Sequence, residues 1–220
     1  MLKQINLRPA YFIPLFILLL IAFIYCLCLP KQISFLFLNN YHTVWLDVFF
    51  TTFTLAGDGL LSVAAVAILI LCKKRKEAII LFCAYASSGL AAQLIKHLFN
   101  QPRPRVYFEQ AKTVYNHFVE GAVVHGSGSF PSGHTASAFA MATVFALLFN
   151  KKWISIIAFI LAVLVGYSRI YLAEHFLPDV TAGAFTGVFF GMLSYYIIWP
   201  QETSFLKGNA FADKANISPE

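Results

Sequence analysis

Residues 11–29 read YFIPLFILLLIAFIYCLCL, a run of nineteen residues without a charged side chain. A helix rises about 1.5 Å per residue, so this run has about the thickness of the hydrocarbon core of a bilayer. The run is too long for the apolar core of a signal peptide, and no small-residue cleavage site follows it. It therefore predicts a retained first membrane span.

Apolar runs of similar length recur along the rest of the chain. They lie at about 59–72, 78–98, 132–149, 153–167 and 180–199, and the first of these is longer if residues 54–58 belong to it. Of the 220 residues 59% are hydrophobic and 12% are charged, about half the charge of a soluble domain. We expect an all-α integral membrane bundle of six transmembrane helices. Residues 1–200 would form this single domain, and the polar tail 201–220 would be cytoplasmic and poorly ordered.

The segment between the first two runs has a helical periodicity of its own. Its large apolar residues recur at the spacing of one helix face, at Leu46, Phe49, Phe50 and Phe53. This pattern predicts an amphipathic helix that lies at the outer interface of the membrane.

The basic residues indicate the orientation of the six spans. Lys3 and Arg8, Lys73–Lys76, and Lys151–Lys152 all fall on one side of a six-span layout. The positive-inside rule makes that side cytoplasmic, with both termini inside. The links 30–58, 99–131 and 168–179 are then outside. These short clusters account for the net charge of +6, and the chain has no basic soluble face of the kind that binds nucleic acid.

Two groups of small residues are expected to serve packing. The four cysteines lie inside or at the ends of apolar runs and form no metal-ligand set: Cys26, Cys28, Cys72 and Cys83. The last run carries three glycines at intervals of four: Gly183, Gly187 and Gly191. Such a ridge lets a neighbouring helix approach closely.

Three clusters of polar residues lie on the outer side of this layout. The first is Lys96 with Arg103-Pro104, and the second is Pro131-Ser132-Gly133-His134. The third is Ser168-Arg169, followed by His175 and Asp179. Because charge and run length alone place them at one membrane face, we expect the three clusters to form a single site.

The basic residues and the second cluster predict an anion site. Ser132 is a good N-cap, and Gly133 adds no side chain that would block a ligand. The free amides and positive dipole end of such a helix attract a phosphate group. Three basic side chains are able to surround the same anion, and arginines bind phosphate oxygens in pairs: Lys96, Arg103 and Arg169.

The histidines supply the chemistry for phosphoryl transfer. His175 and Asp179 are four residues apart, so one helical turn brings the carboxylate to one ring nitrogen and leaves the other free to attack. His134 is then the general acid that protonates the leaving oxygen. No cluster of carboxylates points to a metal, and no cofactor is expected.

Each of these residues has a simpler explanation when it is taken alone. Lys96 and Arg169 could extend to the membrane interface, and Ser132 could be only a helix cap. Asp179 follows Pro178 and could cap the last span, or both cap it and pair with His175. Two histidines, an aspartate and three basic residues in one outer layer are much harder to explain as separate accidents.

Together the three clusters resemble the three-part signature of the type 2 phosphatidic acid phosphatase superfamily. That group includes bacterial acid phosphatases and vanadium haloperoxidases, and the resemblance covers residues 94–179 without a departure at a signature position. It implies that His175 forms a phosphohistidine, that Asp179 orients it and that His134 protonates the leaving group. It implies that the remaining signature residues hold the phosphoryl oxygens without a metal: Lys96, Arg103, Ser132, Gly133 and Arg169.

The membrane-spanning branch of that superfamily implies a lipid phosphate or diphosphate as substrate. Undecaprenyl diphosphate, phosphatidylglycerophosphate, phosphatidic acid and the phosphates of lipid A are all candidates. The expected partners are this substrate and the membrane lipids, without an obligatory protein partner or nucleic acid. A lipid phosphotransferase with the same nucleophile stays open. A small anion transporter does not need the His–Asp pair, and a haloperoxidase does not suit a lipid-embedded bundle.

Several polar and aromatic residues fit no signature position. Asp58 near the outer face could touch the site, but it is expected in a turn. Four histidines receive no role: His42, His97, His117 and His125. The aromatic residues of the second outer link either line a lipid entrance or pack the link onto the membrane: Tyr107, Phe108, Tyr115, Phe118 and Phe130.

Overall fold

The computed structural model describes residues 8–111, 115, 118–119, 126–149 and 151–199. Within these residues the chain is all-α, as predicted. The helices are α1 (Pro9–Cys28), α2 (Lys31–Leu38), α3 (Val44–Phe53), a 3-10 turn (Thr54–Gly57), α4 (Gly59–Leu71), α5 (Arg75–Phe99), α6 (Pro104–Gln110), α7 (Gly133–Leu148), α8 (Lys152–Tyr171) and α9 (Leu177–Ile198). The predicted tail 201–220, together with Lys3, His117 and His125, lies outside the described residues.

All six predicted apolar runs are helical, but they differ in their ability to cross a membrane. α1, α5, α8 and α9 each contain a stretch long and apolar enough to do so. α3 with its 3-10 turn meets the same criterion only together with α4, across a bend of 52°. α7 is apolar but has 16 residues. Within the described residues, length and composition thus support four spans, or five with the bent pair, and the sixth depends on α7.

The predicted amphipathic helix exists as α3. It begins after Thr43, whose hydroxyl oxygen accepts a 3.2 Å hydrogen bond from Leu46 N. Phe50 is buried, with its ring centroid 4.6 Å from that of Tyr171 at the end of α8. One face of α3 therefore packs on α8, while Trp45 on another face is exposed.

α7 lies at the centre of the bundle, where it packs against α5, α8 and α9. Its contact with α9 is close enough to exclude side chains. A Cβ atom on Gly187 would lie 2.3 Å from the carbonyl oxygen of Ala136, and one on Gly183 would lie 2.5 Å from that of Ser132. This confirms that the glycine ridge is a packing surface, which fixes the start of α7 against the start of α9.

The basic turns and the signature residues lie at opposite ends of the bundle. Lys74 Nζ is 5.2 Å from the ring centroid of Phe149, and Lys76 Nζ is 5.4 Å from that of Trp199. The turn between α4 and α5 therefore shares one end with the last residues of α7 and α9. The other end holds the last turn of α5 and the first turns of α7 and α9, where the signature residues lie.

Aromatic residues pack the described part of the link 99–131 onto the bundle. Phe108 stacks on Tyr115 at 5.4 Å, and Phe35 of α2 lies 5.5 Å from Phe176 in the loop before α9. Tyr107 and Phe118 join this aromatic cluster, and Phe130 contacts Phe99 instead. Within the described residues these side chains pack against one another and do not line the cavity that Lys96, Arg103 and His175 border.

Candidate active site

The end of α8 forms one wall of the site. The helix continues to Tyr171, so the predicted outer link 168–179 is wrong at its start: Ser168 and Arg169 lie in the last helical turn. Ala173 then adopts a left-handed conformation (φ 55°), and Glu174 N donates a 3.0 Å hydrogen bond to Arg169 O. This is the hydrogen-bond pattern of a Schellman motif. It turns the chain back, so that His175 returns to Arg169 and is 1% exposed.

The same link is also wrong at its other end, because α9 starts at Leu177. Asp179 lies in the first turn of α9, where its Oδ2 accepts hydrogen bonds from Phe176 N (2.9 Å) and Ser129 Oγ (2.5 Å). His175 Nδ1 lies 3.6 Å from the same oxygen, and this nitrogen makes no hydrogen bond within the described residues. Asp179 thus caps the helix and faces His175 at once.

The first turn of α7 forms the second wall. Ser132 is the N-cap, as predicted, and its Oγ accepts hydrogen bonds from Thr135 N (3.5 Å) and Thr135 Oγ1 (2.9 Å). Its own N–H donates to the carbonyl oxygen of Asp179 at 2.9 Å. The amides of Gly133 and His134 fall in the first helical turn, where a helix offers no acceptor of its own.

Three basic side chains complete the site. Lys96 lies in the last turn of α5, and Arg103 lies just before α6 with its Nε 3.4 Å from Ser127 O. Arg169 donates from Nη1 to Thr54 Oγ1 at 2.6 Å. Both arginines are buried. Lys96, Arg103 and Arg169 come from three different elements, so only the folded bundle brings them together.

A cavity of about 850 Å³ opens between these elements. Six of the eight predicted site residues line it: Lys96, Arg103, Gly133, His134, Arg169 and His175. The other two, Ser132 and Asp179, are buried and do not line it. Its wall also includes residues outside the predicted site, among them Asp58, Tyr85, Gln93 and His97.

Two glycines let α4 approach this cavity. A Cβ atom on Gly57 would lie 2.4 Å from Val165 Cγ1, and one on Gly59 would lie 1.9 Å from the hydroxyl of Tyr85. Asp58 stands between them in a bend, as expected, but it also lines the cavity. The close packing of both glycines therefore brings a carboxylate to the wall of the cavity that Arg169 also lines.

The environment of His175 keeps its ring uncharged. Burial lowers the pKa of His175 to about 4, the positive charge of Arg169 acts in the same direction, and Asp179 opposes both. At neutral pH the ring is therefore neutral, with one nitrogen lone pair available. Asp179 favours a proton on Nδ1, which leaves the lone pair on Nε2.

Comparison with known proteins agrees with this geometry. The model of the PAP2 superfamily matches residues 77–202, more than half of the chain. The chain belongs to the PAP2 superfamily.

Relatives of this PAP2 protein are lipid phosphatases. The lipid A 4'-phosphatase of Bacteroides thetaiotaomicron is 31% identical over 169 residues, which cover 74% of each chain. The crystal structure of Aquifex aeolicus LpxE matches with a TM-score of 0.65 and 35% identity, over 74% of this chain and 92% of that one. A phosphatidylglycerolphosphate phosphatase from Bacillus subtilis shares the fold, with a TM-score of 0.67, 23% identity and coverage of 90% and 98%. Together with the apolar helices, these similarities identify an integral membrane protein.

Two residues outside the PAP2 signature contact signature residues in this protein. Ser129 is fully buried and donates to Asp179. Glu174 is buried, and its Oε2 contacts Arg103 Nη1 directly and lies 3.5 Å from Arg169 Nη2. Two buried arginines need a negative partner. In the sequence, the position of Glu174 between Arg169 and His175 is the one feature that points to this role.

Proposed function

We propose that this protein dephosphorylates a membrane lipid phosphate or diphosphate through a phosphohistidine on His175. One observation carries the proposal: His175 and His134 face a single cavity together with three basic side chains, and Asp179 lies behind His175. A neutral histidine backed by a carboxylate is an activated nucleophile, and the basic groups suit a phosphoryl group.

The reaction has two steps. His175 Nε2 attacks phosphorus with its lone pair, the bond from phosphorus to the lipid oxygen breaks, and His134 gives that oxygen a proton. Asp179 stabilises the ring of His175 while it carries the phosphoryl group. A water molecule then attacks phosphorus and gives its proton to His134, the P–N bond breaks, and phosphate leaves. Both histidines thus return to their starting states.

Basic groups stabilise the charge that develops on the phosphoryl oxygens. Lys96, Arg103 and Arg169 reach the cavity from three directions, and the Gly133 amide adds a donor. Ser132 contributes by capping the helix that presents this amide. Among the described residues no three His, Cys, Asp or Glu side chains gather as metal ligands. We therefore propose a metal-independent reaction, in which activity persists in excess chelator.

The substrate is proposed to be a lipid because the cavity opens on an apolar bundle. The outward faces of α1, α4 and α8 carry large exposed apolar side chains, such as Phe16, Leu60 and Trp153. The similarity to the lipid A 4'-phosphatase of Bacteroides thetaiotaomicron favours the phosphates of lipid A as the first substrates to test. Undecaprenyl diphosphate, phosphatidylglycerophosphate and phosphatidic acid complete the panel.

The site is proposed to face the exterior or periplasmic side of the cytoplasmic membrane, with both termini in the cytoplasm. The basic turn at Lys73–Lys76 supports this orientation, because it lies at the end of the bundle opposite the cavity. Lipid phosphates of the outer leaflet would then reach the cavity.

The deciding experiment incubates purified protein with the lipid panel and measures phosphate release, with and without an acceptor lipid. His175→Ala is the matched control, tested for folding by its thermal transition. Release that requires His175 supports a phosphatase, whereas transfer that appears only with an acceptor indicates the phosphotransferase. Turnover of the panel by folded His175→Ala protein at the wild-type rate would exclude the proposed mechanism.

A further inference from the structure

A buried carboxylate stands beside the two arginines of the site. Glu174 immediately precedes His175 and is 4% exposed. Its Oε2 contacts Arg103 Nη1 directly and lies 3.5 Å from Arg169 Nη2. Both arginines line the cavity, whereas Glu174 does not. The carboxylate therefore meets the two guanidinium groups on their side away from the cavity.

The backbone holds Glu174 in this position. Its N–H donates to Arg169 O at 3.0 Å, so the Schellman turn at the end of α8 ties the residue to one of its own partners. Arg103 comes from the distant link before α6, and its Nε approaches Ser127 O at 3.4 Å. Glu174 is thus a fixed point between two arginines that belong to separate segments.

The charges explain what such a carboxylate does. Two buried guanidinium groups repel each other, and a buried charge without a partner is costly. Each guanidinium has five N–H donors in a rigid fork, so one edge can bind a carboxylate while another faces a phosphate. The same negative charge opposes the binding of any anion in the cavity.

We infer that Glu174 is a positioning residue with two effects on the phosphatase reaction proposed above, on which this inference rests. It holds Arg103 and Arg169 together at the cavity wall while no substrate is bound. It also lowers the affinity of the site for free phosphate, so that the product leaves after the phosphohistidine is hydrolysed.

The test compares Glu174→Gln with wild-type protein in detergent micelles. Inorganic phosphate is titrated, and its dissociation constant is measured by ³¹P NMR, which needs no turnover. Removal of one negative charge a few ångströms from a bound anion should tighten phosphate binding by roughly tenfold or more. On a lipid substrate the same variant should show a lower KM and a lower kcat, because phosphate leaves more slowly.

Glu109→Gln is the matched control. Glu109 also pairs with an arginine, Arg105, at 3.1 Å, but both side chains are exposed and neither lines the cavity. Its substitution removes the same charge and should leave the phosphate dissociation constant unchanged, because solvent screens the pair. An equal effect of both substitutions would overturn the inference, since it would reflect net charge alone.

Glu174→Asp separates charge from geometry. It keeps the negative charge but shortens the side chain, so phosphate affinity should stay near the wild-type value while kcat falls. If Glu174→Gln does not fold, this variant decides: a wild-type kcat would overturn the inference.

Unchanged or weaker phosphate binding by folded Glu174→Gln would also overturn the inference. Failure of the wild-type protein to turn over any lipid phosphate would refute the proposed function, and the phosphate titration would still decide the charge effect of Glu174.

Discussion

Ser129 Oγ donates a 2.5 Å hydrogen bond to Asp179 Oδ2, so the carboxylate that faces His175 is held by a residue of the link between α6 and α7. Without this bond only Phe176 N would hold the Asp179 oxygen that faces His175, and the carboxylate would be less firmly oriented. We expect Ser129→Ala to lower kcat by about tenfold, since a hydrogen bond to a charged group contributes about 1.5–3 kcal/mol. The measurement is the rate of phosphate release at saturating substrate.

Ser155→Ala is the control for this prediction. Ser155 is also buried, but it lies in the first turn of α8 at the opposite end of the bundle. Its loss should leave kcat unchanged. If Ser129→Ala is as active as Ser155→Ala, Asp179 does not depend on Ser129 for its position.

The titration of His175 should lie far below that of an ordinary histidine. Because burial lowers the pKa of His175 to about 4, the neutral ring is present above this pH and is lost as the pH falls through it. The unfolded chain takes up this proton near pH 6.5, whereas the folded protein does so only near pH 4. The free energy of unfolding should therefore decline as the pH falls from about 6.5 toward about 4.

Nitrogen NMR of protein labelled at histidine should show this titration directly. The resonance that disappears in His175→Ala belongs to His175. Its chemical shift should remain that of a neutral ring down to about pH 5. Asp179→Ala should move its midpoint lower still, because Asp179 opposes the shift. A midpoint near that of a free histidine would show that His175 is exposed to water.

Gly187→Ala should destabilise the bundle because the added methyl group meets backbone atoms of α7. Its Cβ would lie 2.3 Å from Ala136 O and 2.8 Å from Ala140 N. Overpacking of this kind costs about 1–3 kcal/mol, which a thermal melt in detergent can detect. Gly89→Ala makes the same change within α5, where nothing lies within 4 Å, and should not lower the melting temperature. Equal melting temperatures for the two variants would show that α7 and α9 can separate without cost.

A cysteine at Gly126 should react with a membrane-impermeant thiol reagent in spheroplasts. Gly126 is exposed near the cavity and has open space around it. A cysteine at the exposed Lys151, at the other end of the bundle, should react only after lysis. The four native cysteines are replaced first in both proteins. The reverse pattern of labelling would invert the proposed orientation.

The sequence predicts the existence of the helices better than it predicts where they end. Long apolar runs locate the helices because burial in lipid demands apolar length, and the glycine interval locates the contact between α7 and α9. The polar residues Arg169 and Asp179 make the predicted link 168–179 too long, because both belong to helical turns that line or back a buried site. Hydropathy cannot distinguish such turns from a loop.

Glu174 shows a second limit of the sequence. Its contacts with Arg103 and Arg169 depend on a Schellman turn with Ala173 in a left-handed conformation, which usually favours glycine. Because position 173 is an alanine, the sequence does not predict that turn. The pairing therefore emerges only from the fold, whereas the signature histidines and the aspartate are recognisable by spacing.

The two histidines should respond differently to the quality of the leaving group. Both line the cavity, and His175 has Asp179 3.6 Å from its Nδ1, so the proposal makes His175 the nucleophile and His134 the acid. A lipid alkoxide is strongly basic and needs a proton as it leaves, whereas an aryl oxide departs without one. General acid catalysis contributes about 10²–10⁴-fold, so His134→Ala should lose up to this factor on a lipid monophosphate and much less on an aryl phosphate.

His175→Ala provides the contrast, since attack on phosphorus is needed with either substrate. It should lose activity on the lipid and aryl esters alike. The measurement is the ratio of mutant to wild-type rates for each histidine on the same two substrates at one pH, provided that the cavity accepts the aryl ester. Equal losses on both substrates in His134→Ala would mean that His134 binds phosphate or supports the fold, because an acid is dispensable when the leaving group is good.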